Sequence, residues 1–193
     1  GDSAIATLSV EGPHVLRRNG EVMEVSSTGG FGPNLTGFSL IRPPRSLDDL
    51  RDIGLGKELL VKVNPKLIID VEATTGGVRS TGAPRFGRVR VTAGGCHLSD
   101  VVEVSDLLSQ AGGVTVEGPI SLGRSRLKVE SGSLTLILKP GSSVTVHADA
   151  KFGHIRWPED NGGADEVVFG NGSARCDLTV TMGLATVKSE VPA

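Results

Sequence analysis

"LTLILKPGSSVTVHADAKFGHIRW" at Leu134–Trp157 carries the clearest structural signal in this chain. Apolar and polar residues alternate on both sides of its Pro-Gly pair, which is the period of a β-strand that buries one face. A weaker copy, "LLVKVNPKLIIDVEATTGGVR", stands at residues 59–79. Pairing Pro65 with Pro140, and allowing a two-residue insertion before the later glycine, aligns strand, proline turn, strand, glycine turn and strand in both copies. The chain therefore repeats one unit made of short strands.

Similar alternating runs continue along the whole chain, separated by Gly, Pro, Ser or Asn, which are residues that turns favour. The sequence therefore predicts an all-β fold. The inward positions of three runs are Val89 and Val91, Leu127 and Val129, and Val144 and Val146. A β-solenoid stacks equivalent layers and so tends to repeat its inward residues and its turn glycines. The internal copy thus favours a right-handed β-solenoid, with a β-sandwich or barrel as the alternative.

Two segments depart from the strand pattern. A loop and helix excursion that interrupts the repeats is predicted at about residues 29–56, because residues 29–44 are rich in Gly and Pro. Within it, a capping Ser46, an apolar stripe and Gly54 predict one short helix near residues 47–53. "SDLLSQAG" at Ser105–Gly112 is interpreted as a second short turn or helix.

Composition bounds the partners. The chain has 193 residues, which suits a single domain over residues 1–193. Its 20 Lys and Arg nearly balance its 22 Asp and Glu, so charge does not favour nucleic acid as a partner. Aromatic residues are five Phe and Trp157, few for stacking sugars or bases. No apolar run approaches the roughly 20 residues of a membrane helix, so we expect no direct membrane insertion in this segment.

Both cysteines share strand parity with apolar neighbours. Cys96 falls in phase with Leu98, and Cys176 with Leu178, so both thiols are predicted to point inward as small apolar groups. The sequence leaves open whether the two form a disulfide, which would favour an oxidising compartment.

Three stretches resemble one known family. They are the proline-turn segment Leu134–Trp157, "LTVTMGLATVKSE" at Leu178–Glu190 and "TLSVEGPHVLRRNGEVMEV" at Thr7–Val25. They look like bacterial adhesin-type β-strand-repeat domains, also called Toast-rack domains, and the likeness covers most of the chain. The resemblance implies a right-handed β-solenoid and a role at the bacterial envelope in assembly, surface display or stress sensing. It carries over no active-site residues, and the segment at residues 29–56 departs from it.

Basic residues alternate with inward Val and Leu in two runs. They are Arg88 and Arg90 in "GRVRV", and Arg124, Arg126 and Lys128 in "GRSRLKV". If both runs lie on one sheet, these side chains form an outward basic patch that suits an acidic partner, phospholipid head groups or an anionic wall polymer. The interleaved Glu103, Glu117 and Glu130 favour the alternative of a mixed, solvated face.

The remaining polar groups indicate no catalytic chemistry. His97 and Cys96 point to opposite faces of a strand, and neither His147 nor His154 has a Ser or Cys at the spacing of an activated nucleophile. The acidic loop "PEDNGGADE" at Pro158–Glu166 matches no calcium-binding pattern and is interpreted as solvated. We therefore predict a protein that is not an enzyme, with no catalytic residue, metal or cofactor.

These observations favour a structural or interaction module, an adhesin-like or scaffold domain at the bacterial cell envelope or outside the cell. A protein partner or self-association is expected, because the ends of a stacked sheet present unpaired backbone groups. One alternative is an envelope-stress sensor or ligand-binding domain. The other is a polysaccharide-active β-helix enzyme, which needs paired carboxylates and commonly stacks its substrate on aromatic residues.

Overall fold

The computed structural model describes residues 9–11, 14–19, 22–27, 60–62, 65–161 and 163–190. The chain forms two compact units, Gly1–Asn64 and Pro65–Ala193. The single domain predicted over residues 1–193 stays a prediction. The excursion predicted at residues 29–56 lies outside the described residues, and so does its helix near residues 47–53.

Short antiparallel pairs are described in the first unit. Its strands are β1 (Ser9–Glu11), β2 (His14–Asn19), β3 (Val22–Ser27) and β4 (Leu60–Lys62). β1 pairs with β4, and β2 pairs with β3.

The described part of the second unit consists of strands and their connections, which confirms the all-β prediction. Its strands are β5 (Ile69–Thr75), β6 (Val78–Ser80), β7 (Arg85–Ala93), β8 (Cys96–Leu98), β9 (Glu103–Gly118), β10 (Arg124–Leu138), β11 (Val144–Arg156), β12 (Glu166–Phe169) and β13 (Ala174–Ser189). Within the described residues, no helix has the length and hydropathy needed to cross a bilayer.

The nine described strands of this unit form one sheet, in the order β12-β11-β13-β10-β9-β7-β5, with β6 beside β8 and β8 beside β9. Every described pair in it is parallel except β11 with β12. β13 follows β11 in the chain but lies between β10 and β11 in the sheet. β13 is therefore inserted inside the stack rather than added to its end.

Equivalent residues stack in register from one layer to the next. Val71 lies opposite Val89, Val89 opposite Leu107, and Leu107 opposite Leu127. The first two of these steps are 18 residues long, the same separation that the hydrogen bond from Gly82 to Asp100 spans. These columns of aliphatic side chains belong to a single buried cluster, so neighbouring layers share one core.

Each long strand turns a corner at a glycine. In β10 the buried residues before Gly132 include Leu127 and Val129, whereas those after it include Leu134 and Leu136. The inward face therefore changes from odd to even positions at the glycine. The equivalent residues across the stack, here called the corner glycines, are Gly76, Gly94, Gly112, Gly132, Gly183 and Gly153.

The inward positions predicted from the sequence are confirmed. All six are at most 2% exposed: Val89, Val91, Leu127, Val129, Val144 and Val146. The proline turn is confirmed as well, because Ser142 N donates a hydrogen bond of 3.1 Å to Lys139 O across Pro140 and Gly141. Gly141 has φ of 96°, the left-handed value that the third position of such a turn requires.

The alignment of the two internal copies agrees with the strand register after the glycine and disagrees with it before the glycine. Through the register of the intervening strands, Val78 shares a column with Ile155, as the alignment predicts. Val71, however, shares its column with Ala148 and not with Val146. The two-residue insertion therefore lies between the proline and this strand position, and not directly before the glycine.

The turn or helix predicted at Ser105–Gly112 is wrong. This segment lies inside β9 and pairs with both β7 and β10. Its inward side chains are Leu107 and Ser109, both fully buried. The alternation of apolar and polar residues was not recognised in this segment because Ser109 occupies one of the core positions.

Ser109 places an unpartnered hydroxyl in the aliphatic core. It lies opposite Val91 and Val129, it is 0% exposed, and its Oγ has no hydrogen-bond partner in the structure. Because burying an unsatisfied hydroxyl costs about 1–3 kcal/mol, Ser109→Ala is expected to raise the free energy of unfolding by about 1 kcal/mol in urea denaturation.

The matched control is Ser125→Ala. Ser125 is also buried, but its Oγ accepts a 3.0 Å hydrogen bond from Val104 N. Its removal leaves a buried amide without an acceptor and is expected to lower the free energy of unfolding by about 1–3 kcal/mol. Equal destabilisation by both variants would show that the Ser109 hydroxyl has a partner.

Candidate interaction surface

The five predicted basic residues lie on the outward face of one sheet. Arg88 and Arg90 are on β7, and Arg124, Arg126 and Lys128 are on β10. β9 lies between these two strands. The two groups therefore share a face but are separated by one strand.

Carboxylates from neighbouring strands contact two of these cations. Arg90 forms an ion pair with Asp106 of β9. Arg124 Nη2 lies 2.7 Å from Asp177 Oδ2 on β13, and Arg175 Nε lies 3.0 Å from the other oxygen of the same carboxylate. Partial burial alone would raise the pKa of Asp177, but the hydrogen bonds and charges of Arg124 and Arg175 hold it below its ordinary value.

Acids and bases alternate across the strands of this face. Arg88 lies opposite Asp106, Arg126 opposite Asp177, and Asp177 opposite His147. Opposite charges at directly paired positions attract each other. The surface is consequently a ladder of mixed charge, and the predicted basic patch is interleaved with acids.

Sequence reasoning did not place beside the patch the acids that contact it. It named Glu103, which instead contacts Arg85 at 3.1 Å, and Glu117, which lies near the far end of β9. Asp106 lies in the segment predicted to be a turn or helix, so its position beside Arg90 was not predicted. Asp177 faces β10 only because β13 is inserted beside that strand, an order that strand periodicity does not encode.

A second polar cluster gathers around Glu117. Ser99 Oγ donates a 2.9 Å hydrogen bond to Glu117 Oε1, and His97 Nε2 lies 3.6 Å from the same oxygen. The hydrogen bond from Ser99 is the main cause that lowers the pKa of Glu117, and His97 and Lys139 act in the same direction. Because the serine donates to the carboxylate and not to the histidine, the arrangement does not activate a nucleophile.

The acidic loop lines an open concavity of about 530 Å³ beside Trp157. Its wall includes Glu159, Asp160 and Asp165. Asn161 shapes the loop, because its Nδ2 donates to Ala164 O at 2.7 Å. Across the described residues, no three His, Cys, Asp or Glu side chains converge to hold a metal ion.

Both cysteines are buried and unbridged, which confirms that they point inward. Burial raises the pKa of the Cys96 thiol to about 11. Burial, together with the charge of Asp177, raises the pKa of the Cys176 thiol to about 12. Since a protonated thiol is a poor nucleophile, neither cysteine is poised for chemistry.

One strand edge of the second unit is only partly covered. β12 pairs with Val144–His147 of β11, and Asp165 O accepts a hydrogen bond from Ala148 N. From Asp149 to Arg156, no described strand pairs with the side of β11 that faces away from β13. This segment, here called the open edge, was not identified from the sequence.

An apolar pair lies at the corner of the open edge. Phe152 is 72% exposed and lies opposite Met182 of β13, which is 54% exposed. Large exposed apolar side chains beside an unpaired strand are typical of an interaction site.

The resemblance to Toast-rack domains stays a prediction, since it depends on spacings of Val, Leu, Pro and Gly. Its fold expectation agrees with the observed all-β unit at the level of strand content and parallel pairing. No protein-family model matches the chain, and comparisons with curated proteins and with solved structures find no match either.

Proposed function

We propose that this protein is a non-enzymatic interaction module of the bacterial envelope, an adhesin-like or scaffold domain. The observation that supports this most directly is the in-register stacking of outward charged residues, such as Arg88 opposite Asp106 and Arg126 opposite Asp177. A hydrogen-bonded sheet fixes the spacing of these groups, so the face offers a rigid pattern to a partner surface. A fixed pattern of charged groups on a flat face suits the binding of another surface.

The same proposal takes the second unit as a right-handed β-solenoid. Three features support it: the steps of 18 residues, the corner glycine in each layer, and the single core that both halves of each layer share. Parallel strands joined by crossover connections are right-handed in nearly all proteins. Such a coil is stiff along its axis, which suits a display or scaffold role.

We propose that the module contacts the envelope through the face that carries Arg88, Asp106, Arg126 and Asp177, here called the charged ladder. Lys128 is exposed on it and faces the same side as Arg126. A cation close to an anionic lipid or polymer surface contributes about 1 kcal/mol to binding, which is roughly fivefold in affinity. Lys128→Ser is therefore expected to weaken binding to anionic envelope material by roughly fivefold.

This expectation is tested by sedimenting the whole chain with purified cell-wall sacculi and with vesicles of anionic phospholipid. The matched control is Lys188→Ser, because Lys188 is also exposed but lies on the other half of its layer, beyond the corner glycine. Binding that falls steeply with salt, and that Lys128→Ser weakens more than Lys188→Ser does, supports the proposal. Release of soluble sugars from the sacculi, or equal effects of the two variants, contradicts it.

A further inference from the structure

We propose that the open edge, Asp149–Arg156, pairs with the open edge of a second copy of this chain. The two edges run antiparallel about a two-fold axis between Phe152 and Gly153. The inference takes from the proposed function only that the second unit is an interaction module, and it names the partner of one of its surfaces.

The backbone of the open edge directs hydrogen-bonding groups outward. Ala148 N donates away from β13, to Asp165 O. Residues two apart on a strand direct their amides to the same side, so the amide of Ala150 also faces outward. On the other side of the corner, Val78 N donates to Gly95 O in the next layer, and Ile155 is the equivalent residue of β11. The amide of Ile155 therefore faces the open side too.

Antiparallel pairing about this axis brings these two groups together. Ala150 of one copy lies opposite Ile155 of the other, so each amide meets the carbonyl of the opposite residue. In an antiparallel ladder this is the doubly hydrogen-bonded pair. Both side chains are partly buried, and that of Ile155 packs against the core of its own copy.

In the same register, the charged side chains of the open edge in one copy lie opposite those of opposite sign in the other copy. Asp149 of one copy lies opposite Arg156 of the other, and the symmetry produces this pair twice. Both side chains are exposed and make no ion pair elsewhere in the described part of the chain. A strand of unrelated sequence does not provide this match, which is why we assign the edge to a second copy.

Pairing about this axis also buries the exposed side chains of Phe152 and Met182. Phe152 of each copy lies next to the axis, above Met182 of its own β13. Among the described residues of the unit, pairing covers the most exposed large apolar side chain, at 72%, and the adjacent one, at 54%. β12 already occupies the rest of the β11 edge. The contact at this end is therefore closed at two copies and does not extend into a fibre.

Sedimentation velocity of the whole chain, over about a hundredfold range of concentration, tests the pairing. The expected result is a reversible shift from 20.0 kDa to twice that mass. Asp149→Arg and Arg156→Asp each place like charges opposite one another twice, and each is expected to weaken dimerisation roughly tenfold. The double variant Asp149→Arg with Arg156→Asp restores the opposite charges and is expected to dimerise like the unchanged protein.

Ala150→Pro supplies a second test. Its amide faces the open side, so proline removes a hydrogen bond of the dimer and leaves the ladder with β13 intact. We expect a monomer with an unchanged circular dichroism spectrum. A dimer that survives Ala150→Pro, or a double charge variant that fails to restore dimerisation, overturns the register.

The failure of this inference is distinguishable from that of the proposed function. A protein that is monomeric at every concentration but binds sacculi or anionic vesicles overturns the pairing alone. A dimer that binds neither supports the pairing and contradicts the envelope role. Pairing of the edge with an added extended peptide, without dimerisation, also overturns the second copy as its partner.

Discussion

Gly132→Ala is expected to lower the free energy of unfolding of the second unit by about 4 kcal/mol or more. A Cβ built on Gly132 lies 2.0 Å from Gly112 O and 2.8 Å from Gly112 C. No rotation of a side chain relieves this contact, because both groups are backbone. Relief requires β10 to move away from β9, which weakens their parallel ladder on both sides of the corner.

The backbone conformation of Gly132 adds to the effect. Its φ is 141°, a region that residues with a Cβ rarely adopt. The layers on both sides have the same contact, since the Cβ position of Gly183 lies 1.7 Å from Gly132 O. A side chain at one corner thus disturbs a column that continues into the neighbouring layers. Urea unfolding followed by the fluorescence of Trp157, which is partly buried, measures the loss.

Gly95→Ala is the matched control for the corner. Gly95 follows the corner glycine Gly94, is exposed, and has no φ in the left-handed range. The nearest atom to its Cβ position is Gly113 O, at 4.0 Å, an ordinary contact distance. Its replacement is expected to change the free energy of unfolding by less than about 1 kcal/mol. Comparable losses in the two variants would contradict a specific role for the corner contact.

The strand content and the inward face were predictable because they depend on local alternation. Leu127 and Val129 in β10 show the period directly, and both are buried as expected. The two-residue insertion in the alignment of the internal copies was misplaced, but the predicted inward face was still correct. A shift of two residues returns a side chain to the same side of a strand. Local pattern therefore determines which residues are inside.

The bend within each long strand was harder to predict from the sequence. "SRLKVES" and "LTLILK" look like two strands, but they are the two halves of β10, joined through Gly132. The alternation changes phase at the glycine, as it does when a turn separates two strands. Periodicity alone does not distinguish a corner within one strand from a connection between two.

The charged ladder and the open edge depend on strand order. Asp177 contacts Arg124, and Phe152 lies opposite Met182, because β13 is inserted between β10 and β11. A chain that simply added each layer to the last would place β11 beside β10. The sequence contains no periodic signal for this exchange, so the acids beside the predicted patch and the edge at Asp149–Arg156 emerge only from the structure.

Phe169→Ala is expected to lower the free energy of unfolding by about 3–5 kcal/mol, the usual cost of deleting a buried phenylalanine side chain. Phe169 is fully buried and belongs to the core, although β12 has only four residues. It lies opposite Val144 in the antiparallel pair of β12 with β11. The phenyl ring therefore supplies much of the packing that holds this short strand to the end of the sheet.

Val168→Ala is the control on the same strand, because Val168 faces outward and is 48% exposed. Its truncation is expected to cost less than about 1 kcal/mol in thermal or urea unfolding. The oligomeric state provides a second measurement. When β12 no longer covers Val144–His147, the unpaired edge extends along the whole of β11, and an uncovered edge recruits further chains. Phe169→Ala is thus expected to form species larger than a dimer, and a variant that loses stability but remains a dimer would show that β12 does not limit the assembly.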